Sequence, residues 1–263
     1  MPKGTFIPLI IGFAMAGICR ADEIAVFYAL EADGRALAQS SEVARQPVRV
    51  GQRSISIYQI AGHKVYAVKM ESGVVETAVS AEALLSRFSV DFALSLGPIG
   101  GLTSDIVLQK WYTVQSIVPY QKGMHRESGF QSAEPITLRA LDILDESELP
   151  PLFRDAPLIS VASGEVFIAS SSFREQLAAQ TKASAVDMNL FGLYAACRNH
   201  QVPLLAWRIC SDNADPSASD DFRAFVEKYD GAGGRMLSEL IKLLPPNKQS
   251  PEAYDNLRKL LME

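Results

Sequence analysis

Between Glu23 and Cys210 short apolar runs of strand length alternate with stretches of helical period, and this rhythm limits the fold more than any other feature of the chain. "EIAVFYAL", Glu23 to Leu30, reads as a buried strand, and "SISIYQI" and "KVYAVKM" flank Ala61-Gly62-His63 as a hairpin. Between Glu76 and Phe88, Ala78, Val79, Ala81, Ala83, Leu84 and Leu85 recur with the period of a helix that has one broad apolar face. The run "VDFALSLG" follows, then a Gly-rich turn at Gly97-Pro98-Ile99-Gly100-Gly101 and a further strand in "DIVLQKWYTVQSIV". From Gln121 to about Pro157 the chain is polar and dotted with proline, which predicts loop plus one helix around Ile136 to Leu144. A strand at Leu158 to Ala162, a serine-capped helix at Ser172 to Lys182, a helix from Met188, a strand from Val202 to Cys210 and a long helix after Ser219 complete the series. Each helix has one apolar face to hide, and a sheet between two helical layers hides them all. The expected fold is α/β, a single-domain three-layer sandwich around a central mixed sheet.

Composition narrows the function classes. Of 263 residues, 48% are hydrophobic and 21% charged, enough for a substantial core and too apolar for long disorder. Acidic residues outnumber basic ones, the net charge is -5 and no basic run occurs, so a nucleic acid is excluded as the main partner. Lys3, the apolar stretch Phe6 to Ile18 and the small residues of Cys19-Arg20-Ala21 have the layout of a secretory signal peptide over residues 1–21. The stretch is shorter than the roughly 20 residues of a membrane-spanning helix, so the expectation is a periplasmic or secreted protein with no stable membrane span after cleavage. "FIPLII" as a buried first strand is the other reading, and Ile18 is too bulky for a lipid anchor on Cys19. The folded domain is placed at residues 22–245. Beyond Pro245-Pro246, residues 246–263 form a helical tail in which Ser250 caps and Tyr254, Leu257, Leu260 and Leu261 make one stripe, for packing on its own domain or on a second subunit.

Cys197 and Cys210 sit at the end of a helix and the far end of the following strand, a separation that predicts two buried thiols rather than a disulfide. His63, His125 and His200 are scattered with no partner at ligand spacing, so neither a metal nor a cofactor is expected. No Gly-x-Ser-x-Gly elbow supports a serine hydrolase.

Four segments in chain order carry a family resemblance: "IAVFYALEAD", "ESGVVETAVSAEALL", "SLGPIGGL", and the block from "SVASGEVFIASS" through "ASAVDMNLFGLYAACRNHQVPLLAWRICSDNAD". Together they are similar to the nucleoside phosphorylase superfamily, most closely its methylthioadenosine and S-adenosylhomocysteine nucleosidase branch. The resemblance implies a small-molecule purine nucleoside as ligand and a homodimer as assembly. It gives Asp212, in "SDNAD", the role of the general acid that protonates the purine at N7. Phe167 corresponds to the ring stacked on the base, Ile168 to the residue whose backbone reads the base edge, and Met188 to the residue beneath the ribose. Asp33 corresponds to a glutamate that activates water and Arg208 to an arginine that places it; Ser211, Gly97 and Ile99 fall within the matching binding segments. Three departures stand out: Asn189 where the family has a glutamate for the ribose hydroxyls, Pro98 in place of a serine, and an Asp33 one methylene short.

These residue types suit cleavage of an N-glycosidic bond, which leaves negative charge on the departing base and positive charge on the sugar, so an acid is needed on one side and water or an anion on the other. Asp212 can be that acid only if burial raises its pKa. Arg208 lies four residues away on the same strand face, so it must be engaged elsewhere, and Asp33 is the expected partner. Hydrolysis is expected over phosphorolysis, since Pro98 removes a donor for a phosphate dianion. A binding or storage-like protein of the same fold with little turnover is the alternative that Asn189 and Pro98 suggest. Read singly, the same residues would be ordinary: a helix cap at Asp215, a core Phe167, a surface ion pair at Arg208.

Overall fold

The computed structural model describes residues 23–127, 129–138 and 151–244. The signal-peptide segment, the C-terminal tail and most of the helix expected at Ile136 to Leu144 lie outside the described residues. In chain order the elements are β1 (Glu23–Tyr28), α1 (Glu31–Gln39), β2 (Val43–Val50), β3 (Arg53–Ile60), β4 (His63–Lys69), α2 (Val74–Leu85), β5 (Phe92–Gly101) and β6 (Trp111–Pro119). The short pieces β7 (Gly123–Arg126), β8 (Gly129–Ser132), β9 (Ile136–Thr137) and α3 (Pro151–Arg154) follow. Then come β10 (Leu158–Ser163), α4 (Ser171–Thr181), β11 (Ala185–Asp187), α5 (Leu190–Asn199), β12 (Leu204–Asp212), α6 (Ala218–Lys228) and α7 (Ala232–Leu243).

One mixed sheet organises all of this, in the order β11-β10-β6-β12-β5-β1-β4-β3-β2. β1 lies between β4 and β5, parallel to both, and helices α1 and α2 cover its two faces. That is why it reads as a continuous apolar run, with Ala25 and Phe27 in one core and Ile24 and Val26 in the other. Helices α2 and α5 pack together on the first side, and α1 and α7 on the second. Both crossings need a glycine: a Cβ on Gly192 of α5 would lie 1.9 Å from the carbonyl oxygen of Val74, and one on Gly234 of α7 would lie 2.2 Å from that of Asp33. Near its end β5 also takes β11 antiparallel at Gly100 and Gly101, so β5, β12, β6, β10 and β11 close into a ring. The exposed edge is β2, where the register shifts between Arg45 and Val48 around Pro47, a form that discourages further strand pairing.

The mixed sheet with helices on both faces matches the sequence expectation, as do the β3–β4 hairpin, turned by Ala61 and Gly62 at positive φ, and the two free buried cysteines. Several local expectations are corrected. Gly97 to Gly101 is the end of β5 rather than a turn, because β12 and then β11 supply hydrogen-bond partners that no local pattern reveals. The strand after it begins only at Trp111. Ile136 and Thr137 extend the sheet as β9 on β6, and the polar stretch from Gly123 forms the β7–β8 hairpin. The long C-terminal helix is two helices, broken where Gly231 takes a left-handed φ of 80°.

Candidate active site at the strand ends

A cleft opens where β5, β11 and β12 end, and strand ends are the usual place for a ligand in an α/β fold. Ile99 comes to it from β5, Phe167 and Ile168 from the loop after β10, Met188 and Asn189 from the start of α5, and Ser211 and Asp212 from the end of β12. Seven of the ten residues that the sequence singles out therefore meet in one cavity. Asp33, Arg208 and Gly97 do not line it.

Asp212 is buried, and its position depends on Gly100, where a Cβ would fall 2.9 Å from its Oδ1. The backbone N–H of Ala214 donates to Oδ1 at 2.9 Å. Burial pushes the carboxyl up to about 6, against the pull of the hydrogen bonds from Ala214 and Ser211 and with help from the charges of Asp221 and Asp215. Ser211 suits both protonation states. Its Oγ lies 2.8 Å from Asp212 Oδ2 and 3.1 Å from the carbonyl oxygen of Ile99, and its single hydrogen can serve only one of them. With the hydrogen on the carboxylate, Asp212 is held as an anion. With the hydrogen on Ile99, the contact to Asp212 is satisfied by the carboxylic acid's own proton.

Phe167 is half-exposed at the mouth and meets Phe222 of α6 nearly edge-on, ring centres 6.0 Å apart. Phe222 lines the same cleft, and so do Ser72, Gly100 and Asp187, which sequence reasoning did not place there. A lone Phe in an amphipathic helix looks like any core residue, so only the packing of α6 against β12 reveals Phe222. Asp187 carried a visible signal, an acidic residue directly before Met188 in a run of otherwise apolar character.

The expected Arg208–Asp33 pair does not form. Arg208 is fully buried: Nε faces Asp187 Oδ2 at 3.4 Å, and Nη1 donates to Ser95 Oγ at 3.1 Å and to the carbonyl of Trp207 at 2.9 Å. Nη2 is buried without a hydrogen-bond partner among the described residues. Gly97 sits over this guanidinium, its would-be Cβ 3.6 Å from Nε and Cζ, which is the role it has instead of a place in the cleft wall. Burial drives the guanidinium pKa down and Asp187 opposes that. Asp33 points the other way, into the seam between α1 and α7, where Oδ1 accepts from the Tyr229 hydroxyl at 2.7 Å and the Gly234 N–H at 2.8 Å. Burial lifts its pKa to about 6, against the hydrogen bonds from Tyr229 and Gly234. Gly233 and Gly234 let α7 come close enough to claim this carboxylate, and a side chain one methylene short of glutamate is held there rather than at the strand ends.

Asn189 is nearly buried, and its Nδ2 donates to the carbonyl of Glu71 at 2.9 Å and to Thr77 Oγ1 at 2.6 Å. Among the described residues no cluster of three or more His, Cys, Asp or Glu could hold a metal ion, and no helix is long and apolar enough to cross a membrane.

Comparison with known proteins identifies the family and the fold. Residues 23–242 match the family model described as "Phosphorylase superfamily". The aminodeoxyfutalosine nucleosidase of Helicobacter pylori is 25% identical over 180 residues, 64% of this chain and 76% of that protein. The 5′-methylthioadenosine/S-adenosylhomocysteine nucleosidase of Staphylococcus saprophyticus is 26% identical over 193 residues, 69% of this chain and 84% of its own length. Among solved structures, the 5′-methylthioadenosine/S-adenosylhomocysteine nucleosidase of S. pneumoniae superposes with a TM-score of 0.74 at 21% identity, covering 85% of this chain and all of that one.

Proposed function

The chain belongs to the phosphorylase superfamily, and we propose that it is a purine nucleosidase that hydrolyses the N-glycosidic bond of an adenosine-like nucleoside. The observation that carries this reading is Asp212: a buried carboxyl at the base end of the cleft, with a pKa near 6 and a serine able to satisfy it with or without its proton. Protonated, it gives its proton to the departing purine while Phe167 and Phe222 flank the ring and exclude water. Asp33 lies outside the cleft and Asp187 is paired with Arg208, a pair with no net charge, so apart from Asp212 no unpaired carboxylate among the described residues of the cleft wall faces the developing sugar cation. The relatives named above as nucleosidases support hydrolysis, and so does Pro98, which has no N–H to offer a phosphate.

The test is release of free base from methylthioadenosine, adenosine and inosine, each with and without phosphate. Base from at least one of them without phosphate is expected. No base from any of them sinks the reading, and base only with phosphate makes the protein a phosphorylase. A binding protein without turnover is the second reading, favoured by the loss of Asp33 from the cleft; tight purine binding by calorimetry with no product on long incubation would establish it. The proposal extends to export, on the strength of Lys3, the apolar Phe6 to Ile18 and the small residues before Asp22. Protein from its native host should begin near Asp22, and an intact mass that includes Met1 to Ala21 would contradict export.

A further inference from the structure

The neighbours of Asn189 dictate which way its amide points. One terminal atom lies between the carbonyl oxygen of Glu71 and Oγ1 of Thr77. A carbonyl can only accept, and the Thr77 hydroxyl donates its hydrogen to that same carbonyl at 3.0 Å. Both neighbours therefore present lone pairs, and the atom between them is the donating nitrogen. Oδ1 is turned away from the pair and accepts no hydrogen bond among the described residues. A carboxylate at this position would set an anionic oxygen against the Glu71 carbonyl, and would gain a donor from the buried Thr77 only if that hydroxyl gave up its bond to the same carbonyl. The start of α2 thus favours an amide at residue 189.

The other acid on this wall is already engaged. Both oxygens of Asp187 take the N–H of Leu190, at 3.2 and 3.1 Å, Oδ2 also faces Arg208, and the side chain is only 1% exposed, so the carboxylate is shut away behind the wall. What residue 189 offers to the edge of a sugar, where a glutamate would offer an anion, is one neutral acceptor, the Oδ1 of Asn189. A vicinal diol needs two acceptors, or one anion, to be held at both hydroxyls.

From this, and resting on the nucleosidase reading above, we infer that the cleft is built for purine nucleosides with a single hydroxyl on that edge, and that 2′-deoxynucleosides are cleaved at least as readily as ribonucleosides. Losing the 2′-hydroxyl forfeits at most one neutral hydrogen bond, a factor of about ten or less in affinity. It also removes an electron-withdrawing oxygen beside the carbon that becomes cationic, which eases rupture of the glycosidic bond.

The experiment compares kcat/KM for 2′-deoxyadenosine and adenosine under one set of conditions, beside the affinities of the two by calorimetry. The expected result is a deoxy form equal to or better than the ribo form. A preference for adenosine of more than about tenfold in kcat/KM would overturn the inference while leaving the nucleosidase reading intact. If neither releases base, the nucleosidase reading fails, and binding still decides the sugar wall: affinities within about tenfold uphold it, and tighter binding of adenosine than that overturns it.

Discussion

Asp212 and Asp33 are two buried aspartates in nearly the same electrostatic state. Each is almost fully shielded from solvent, each accepts one backbone N–H and one hydroxyl, and burial lifts each to about 6. They differ in what stands in front of them. Asp212 faces a cleft walled by Phe167, Met188 and Asn189, whereas Asp33 faces the glycines of α7 and the ring of Tyr229. Desolvation makes a carboxyl able to hold a proton near neutral pH, and only access to a ligand makes that proton useful. A raised pKa therefore fits the proposed acid at one of these sites and reflects tight helix packing at the other.

The largest expected effect separates the two directly. Asp212→Asn keeps the network, since the amide can accept from Ala214 and donate to Ser211 as the protonated acid does, but it has no proton to surrender. Base release should fall about 10²–10⁴-fold while purine binding persists. Turnover close to wild type in that variant would remove Asp212 from the acid's role. Asp33→Asn, assayed beside it, should change turnover little.

Stability against pH should unite the pair. Each folded pKa near 6 lies above the ordinary 3.8, so the native state retains protons that the unfolded chain has released. Stability from these groups is greatest below about pH 4 and is lost as pH rises through about 6, on the order of 2–3 kcal/mol for each. Thermal melts of the wild type from pH 4.5 to 8 should show this decline once the remaining groups are matched by buffer controls. Either Asn variant should flatten it, and an Asp33→Asn protein with the full wild-type slope would show that Asp33 is not buried as an acid in the α1–α7 seam.

A smaller effect tests the positioning of Asp212. The Cβ of Gly100→Ala would sit 2.9 Å from its Oδ1, close enough to push the carboxylate a few tenths of an ångström off line. Turnover should drop by roughly tenfold, since placement errors of that scale cost far less than the 10²-fold associated with 1 Å. Melting should change little, and a variant with unchanged kcat would mean that the carboxylate has room to adjust.

Read along the chain, the apolar run of β1, the helical period of α2 and the linked block from Ser160 to Asp215 were legible because each is a local pattern, within one element or its immediate successor. The same block carried Phe167, Met188, Asn189 and Asp212 into one cavity, since β10, β11 and β12 follow one another closely in sequence and lie close together in the sheet. β11 itself was missed, being three residues long with no period to detect. So was the ending of β5, whose strand character comes from partners about 85 to 110 residues away.

The sequence by itself determined that an α/β sandwich would form, because the alternation of strand and helix periods is local, and its resemblance to the nucleoside phosphorylase superfamily grouped Asp212, Phe167 and Asn189 in one expected site. Only the tertiary structure decided how the charges pair. Asp33 goes to Tyr229 and Gly234 because two glycines, some 200 residues further on, let α7 approach. Arg208 is left to Asp187, and Asn189 is turned by a carbonyl and a hydroxyl of the Glu71–Thr77 segment. A hydrogen bond depends on tenths of an ångström between atoms that the chain brings together from far apart, and no local period carries that information.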